Sequence, residues 1–147
     1  MVSANFLLDV NVLIAMAWPW HEARTKVLEW LSRHAADGWA TCPLTQIAFV
    51  RVLSNPAFSL NAPAPTDALA LLQSNLAHPS HQFWPDEVSF PKALEPFLPK
   101  LVGHQQVTDA YLLGLAIHKK GKLATLDRGI VDLLPEKNRA GEFVELI

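Results

Sequence analysis

Two short apolar runs, Asn5-Phe6-Leu7-Leu8-Asp9 and Lys122-Leu123-Ala124-Thr125-Leu126-Asp127, both close on an aspartate. A short continuous apolar run without polar alternation reads as a strand covered on both faces, and such strands belong to parallel sheets. Parallel strands need crossover connections, usually helices. The rest of the chain supplies them. A short helix is expected over Val12–Ala17, ending before Pro19, and a longer one over Trp20–Ala35, with Trp30 in the core. Trp39–Cys42 reads as a second strand. Pro43 suits the first turn of a helix over Leu44–Leu53, which Asn55-Pro56 stops. Residues 56–65 read as loop. Thr66 is expected to cap a helix over Asp67–Ala77, and Gln82–Trp84 to form a third strand. Residues 90–102, interrupted by Pro91, Pro96 and Pro99, give no clear pattern. Thr108 reads as the N-cap of a helix reaching Lys120, with Gly121 as its stop. A short helix over Gly129–Leu134 and a strand over Phe143–Ile147 complete an α/β sandwich around a mostly parallel sheet.

Composition narrows the class. At 147 residues the chain fits one domain, residues 1–147. A hydrophobic fraction of 50% with 18% charged residues excludes charge-driven disorder. No apolar run approaches the length of a membrane span. Met1-Val2-Ser3-Ala4 carries neither a basic stretch nor a cleavage pattern, so no secretory signal is expected. A lone cysteine, Cys42, points to the cytoplasm. Twelve Lys and Arg against fourteen Asp and Glu leave a formal charge of −2, which excludes a broadly basic nucleic-acid coat but not a local cationic patch.

The chemistry lies at the strand ends. Ligands of open parallel sheets bind outside the carboxyl ends of the strands. Asp9 and Asp127 follow strands, and Asp109 begins a helix, so all three belong to that edge. Carboxylates held together repel one another, and a hard divalent cation such as Mg²⁺ or Mn²⁺ removes the repulsion. Such an ion activates water and stabilises charge on phosphorus, which suggests phosphodiester hydrolysis. Each aspartate also has an ordinary reading: Asp9 as a capping turn, Asp109 as a helix N-terminal acid, Asp127 as turn chemistry. Arg51 and Arg128 lie near the same edge and are candidate phosphate contacts, or solvated surface charges. His78 and His81 flank Pro79 without a cysteine partner and do not read as a zinc site.

Four stretches resemble the PIN-domain ribonucleases, specifically the VapC-type toxins of bacterial toxin–antitoxin pairs. They are Leu-Leu-Asp-Val-Asn-Val-Leu-Ile from Leu7, Thr-Cys-Pro-Leu-Thr from Thr41 through Arg-Val-Leu-Ser-Asn-Pro from Arg51, Gly-His-Gln-Gln-Val-Thr-Asp-Ala-Tyr-Leu-Leu from Gly103, and Leu-Ala-Thr-Leu-Asp from Leu123. They span nearly the whole chain in order. The resemblance implies a three-layer α/β/α domain and an Mg²⁺- or Mn²⁺-dependent endoribonuclease toxin. Asp9 and Asp109 would be the principal metal ligands, and Asp127 a further one, direct or through water. Asn11, Thr108 and Thr125 would orient carboxylates or water. A cognate antitoxin and a homodimer are the implied partners.

One position departs from the family pattern. A glutamate is usual near Thr45-Gln46, but here the residue is Gln46, and no acid lies between Asp37 and Asp67. Either Gln46 positions water and three acids suffice, or the domain binds RNA or antitoxin without cutting. A third reading, a phosphotransferase using Asp9 as nucleophile, meets Asn11 where such enzymes want a second acid.

Overall fold

A computed structural model describes residues 4–147. The Met1-Val2-Ser3 part of the signal-peptide reading lies outside the described residues. Five strands, β1 (Phe6–Leu8), β2 (Trp39–Thr41), β3 (His81–Phe83), β4 (Lys122–Thr125) and β5 (Val144–Leu146), form one sheet in the order β3-β2-β1-β4-β5. Every pairing is parallel. The helices are α1 (Val10–Ala17), α2 (Arg24–Arg33), α3 (Pro43–Leu53), α4 (Pro65–Leu76), α5 (Phe90–Leu94) and α6 (Val107–His118). Among the described residues, no helix is long and apolar enough to cross a membrane.

Strand alternation divides the core into two apolar layers. Leu7, Ala40 and Leu123 pack with Phe97, Leu112, Leu115 and Ile130, on the side of α5 and α6. Phe6, Leu8, Trp39 and Ala124 pack with Leu13, Val27, Trp30, Phe49 and Leu72, on the side of α1 to α4. This is the three-layer arrangement, and it explains why the central strands carry no polar face. Closure on the α6 side depends on Gly114: a Cβ there would lie 2.3 Å from the Ala93 carbonyl oxygen of α5.

Several boundaries differ from expectation. The long helix begins at Arg24, not Trp20. Before it the His21 imidazole accepts from the Ala23 N–H at 3.0 Å and shapes a turn, leaving Trp20 77% exposed. Ala64, not Thr66, occupies the N-cap of α4, because Pro65 fits its first turn. Thr108 is likewise not a cap. A 3₁₀ turn over His104–Gln106 precedes α6, and the Gln106 side chain accepts from the Val102 and Gly103 N–H groups at 2.8 and 3.0 Å. The helix therefore starts at Val107, and Thr108 sits inside its first turn. At the other end Lys120, not Gly121, takes the left-handed conformation (φ 59°). Gly121 is needed for a different reason: a Cβ would lie 2.8 Å from the Asn5 carbonyl oxygen. The proline-rich stretch resolves into α5 and a 3₁₀ segment, Glu95–Lys100.

Candidate active site

The parallel register places the ends of β1 and β4 side by side, with Leu8 opposite Ala124. Asp9 follows β1 directly and caps α1, its carboxylate accepting from the Val10 N–H at 2.7 Å. The capping reading of Asp9 holds. Asp9 is only 6% exposed. Its other oxygen accepts from the Thr125 hydroxyl at 2.8 Å and, more weakly, from the Asn11 amide at 3.4 Å.

Thr125 and Asn11 join the two strand ends. The Asn11 amide donates to Thr125 Oγ1 at 3.2 Å, and its carbonyl accepts from the Leu126 N–H at 3.1 Å. Thr125 Oγ1 also accepts from the Asp127 N–H at 3.0 Å. This network fixes the chain beyond β4 against Asp9. Asp127 then caps a 3₁₀ segment, Arg128–Leu133, by accepting from the Gly129 N–H at 2.8 Å. Asp109 stands in the first turn of α6, half-buried, where the N-terminal helix charge favours an acid.

The charge of Asp127 acts on both Asp9 and Asp109, and that of Asp9 on Asp109. Burial, then the charges of Asp9 and Asp127, push Asp109 up to about 6. Burial also raises Asp9, against the lowering effect of its bonds from Thr125 and Val10, and Asp127 adds to the rise. Ion pairs elsewhere engage Asp37, Glu87, Asp132, Glu136, Glu142 and Glu145. Among the described residues none engages Asp9, Asp109 or Asp127. The result is a concentration of negative charge, partly removed from water, with no protein cation to balance it.

Among the described residues no group of three or more His, Cys, Asp or Glu side chains is gathered tightly enough to hold a metal by itself. Mg²⁺ and Mn²⁺ do not require such a cage, since one or two carboxylates, waters and substrate phosphates commonly complete their shells. An all-oxygen, electrically uncompensated donor set fits such an ion and suits a thiolate-preferring one poorly.

The remaining site candidates are dispersed. Gln46 makes no hydrogen bond to an aspartate among the described residues. Its amide donates to Thr41 Oγ1 at 2.9 Å, and that hydroxyl lies 2.7 Å from His81 Nε2. Burial lowers the His81 pKa, so the chain runs as neutral hydrogen bonds from Gln46 through Thr41 to a neutral imidazole. Thr108 makes no hydrogen bond to an aspartate among the described residues; it lines a groove with Leu44, Asp86, Phe90, Val107 and Tyr111. Arg51 ends α3 beside a cleft shared with Gln46, and Arg128 is exposed next to Asp127. The Asp86–Tyr111 hydrogen bond was not expected from sequence. The signal was faint: an acid three residues beyond a short strand, after a proline.

A model of the PIN domain matches residues 6–133. Ribonuclease VapC38 of Mycobacterium tuberculosis is 41% identical over 131 residues, covering 89% of this chain and 91% of that protein. Ribonuclease VapC29 of the same species is 44% identical over 128 residues, covering 86% of this chain and 89% of that protein. In fold, the chain is similar to the solved structure of VapBC2 from Rickettsia felis bound to a promoter DNA fragment, with a TM-score of 0.65 over 96% of this chain and 97% of that one, at 11% identity.

Proposed function

The chain belongs to the PIN-domain family, among the VapC ribonucleases, and from that premise we propose that it is an endoribonuclease toxin whose cutting of RNA requires a divalent cation at the carboxyl edge of the sheet. The observation that carries the reading is the unpaired, partly buried acid set of Asp9, Asp109 and Asp127, in which burial first, and the charges of Asp9 and Asp127 second, lift Asp109 to about 6. Asp9 and Asp109 would hold Mg²⁺ or Mn²⁺, with Asp127 bound directly or through water. A cation of this kind supplies Lewis acidity toward a phosphoryl oxygen and lowers the pKa of water.

The protein's own groups have distinct tasks. Thr125 and Asn11 hold the Asp9 carboxylate in one orientation, so no reorganisation is needed when substrate arrives. The half-buried setting of Asp109 strengthens its interaction with any cation that displaces water. Arg128, next to Asp127, and Arg51, beyond Gln46 on α3, would meet phosphates and supply the local positive charge that an acidic chain needs for RNA.

The non-cutting alternative rests on Gln46 alone. Gln46 is engaged with Thr41, so its missing charge leaves the three-acid set intact and the cutting reading stands. The same reading takes residues 1–147 as one domain acting in the cytoplasm. It pairs the chain with a cognate antitoxin and with a second copy of itself. The cleft of Ile47, Val50, Pro65, Leu69 and Leu72 offers an apolar surface of the kind a partner helix covers.

The test is cleavage of single-stranded RNA by the purified chain. Cutting in Mg²⁺ or Mn²⁺ that stops with EDTA, and is lost in folded Asp109→Asn, is expected. Undiminished cutting in EDTA would remove the metal from the account.

A further inference from the structure

Beyond the acid cluster, the same edge of the sheet carries a second feature. β2 and β3 continue the sheet on the far side of β1 from β4. Where they end, a groove of about 290 Å³ opens, lined by Leu44, Asp86, Phe90, Val107, Thr108 and Tyr111. Its wall includes Val107 and Thr108 of the first turn of α6, the turn that also carries Asp109. Its volume lies at the small end for a ligand pocket, enough for one flat ring system.

The lining is specific in chemistry. Phe90 is 50% exposed at the start of α5 and presents a free aromatic surface, with the Tyr111 ring 6.2 Å away at 38°. Asp86 is exposed, and one of its oxygens is held by the hydroxyl of Tyr111, itself buried. The other oxygen has no hydrogen-bond partner among the described residues. The Tyr111 bond fixes the carboxylate without neutralising it. An aromatic face beside an oriented, acceptor-only group is how proteins take up an unstacked base and read its edge.

Resting on the ribonuclease reading, we infer that this groove receives one unpaired nucleobase of the RNA next to the cut, with guanine preferred. Phe90 stacks on the base. The Watson–Crick edge of guanine offers adjacent N1–H and N2–H donors to the Asp86 carboxylate. Adenine presents an acceptor at N1 and loses that pairing. Thr108 lines the groove as well, beside Val107.

The experiment measures binding of a uridine oligonucleotide carrying one guanosine, inosine or adenosine. It uses the Asp9→Asn background, so the RNA stays intact, and cleavage of the same RNAs by the unsubstituted chain runs in parallel. Guanosine is expected to bind about tenfold more tightly than adenosine, with inosine between them. Asp86→Asn keeps an acceptor for Tyr111 but turns a donor toward the base, so the preference moves from guanosine toward adenosine. Phe90→Ala weakens every oligonucleotide by about tenfold. Both side chains are exposed, so neither change threatens folding. Equal affinities and unchanged base preference in both variants would overturn the inference, even while the chain cuts RNA. Absence of cutting in any metal, with the guanosine preference intact, would instead sink the nuclease reading and leave the groove standing.

Discussion

The two halves of the carboxyl edge of the sheet handle polarity in opposite ways. At β1 and β4, Asp9, Asp109 and Asp127 pair with no cation among the described residues, and burial together with neighbouring negative charge raises Asp9 and Asp109. At β2 and β3, Thr41, Gln46 and His81 satisfy one another as neutral groups. One half keeps acids without a cation partner among the described residues, which a proton or an incoming cation would relieve. In the other, the Thr41–Gln46–His81 chain is complete in itself, and only the groove beside it carries an open carboxylate, Asp86. The difference teaches where chemistry and where structural support should be sought along one continuous edge.

The largest effect should come from removing charge on the demanding half. Asp9→Asn or Asp109→Asn is expected to lower RNA cleavage about a thousandfold or more, measured as single-turnover rates with circular dichroism confirming the fold. Retention of near-normal rates in both would erase the distinction between the halves. The next largest follows from the support around Asp9. Thr125→Val removes the 2.8 Å donor to its carboxylate and should lower the rate about ten- to a hundredfold. It should also destabilise the protein by about 1–3 kcal/mol in urea unfolding, because a buried acceptor loses its partner.

Titration sharpens the contrast further. The folded Asp109 carboxyl, at about 6 against an ordinary 3.8, holds its proton more tightly than the unfolded chain does. In chelator, its contribution to stability is therefore complete below about pH 4 and is lost as the pH rises through about 6. The thermal midpoint should fall across that window, flatten in Asp109→Asn, and recover when Mn²⁺ is added at pH 7. A midpoint that is flat with pH and insensitive to Mn²⁺ would mean that the Asp109 carboxyl is not held above its ordinary value and meets no cation. The smallest effect belongs to the self-satisfied half. Gln46→Leu should change the cleavage rate by no more than about threefold and cost about 1 kcal/mol of stability, the value of one neutral hydrogen bond. A loss as large as that of Asp109→Asn would make Gln46 part of the metal site.

The acidic half was readable in the sequence because its signal is local. A strand closed by Asp and a helix opened by Asp each announce themselves within a few residues, and parallel topology then brings Asp9, Asp109 and Asp127 to one edge. The neutral half was not readable. Thr41 and His81 lie forty positions apart, and only the β2–β3 register makes them neighbours. The same holds for Asp86, in the loop after β3, and Tyr111 of α6, which lie 25 positions apart. Thr108 misled for a related reason: a threonine ahead of an apolar helix is a sound N-cap signal, but Gln106 had already organised the preceding turn. Trp20 fits the helical period of α2 and yet stays outside it, since periodicity does not register the turn that His21 stabilises.

The central claim is that Asp9, Asp109 and Asp127 share one hard cation. Anomalous diffraction from a crystal soaked in Mn²⁺ tests it most directly. The account predicts a peak ligated by the Asp9 and Asp109 carboxylates, with Asp127 bound to it or one water away. Saturating Mn²⁺ with no peak at that edge, or a peak held by other residues, would contradict it.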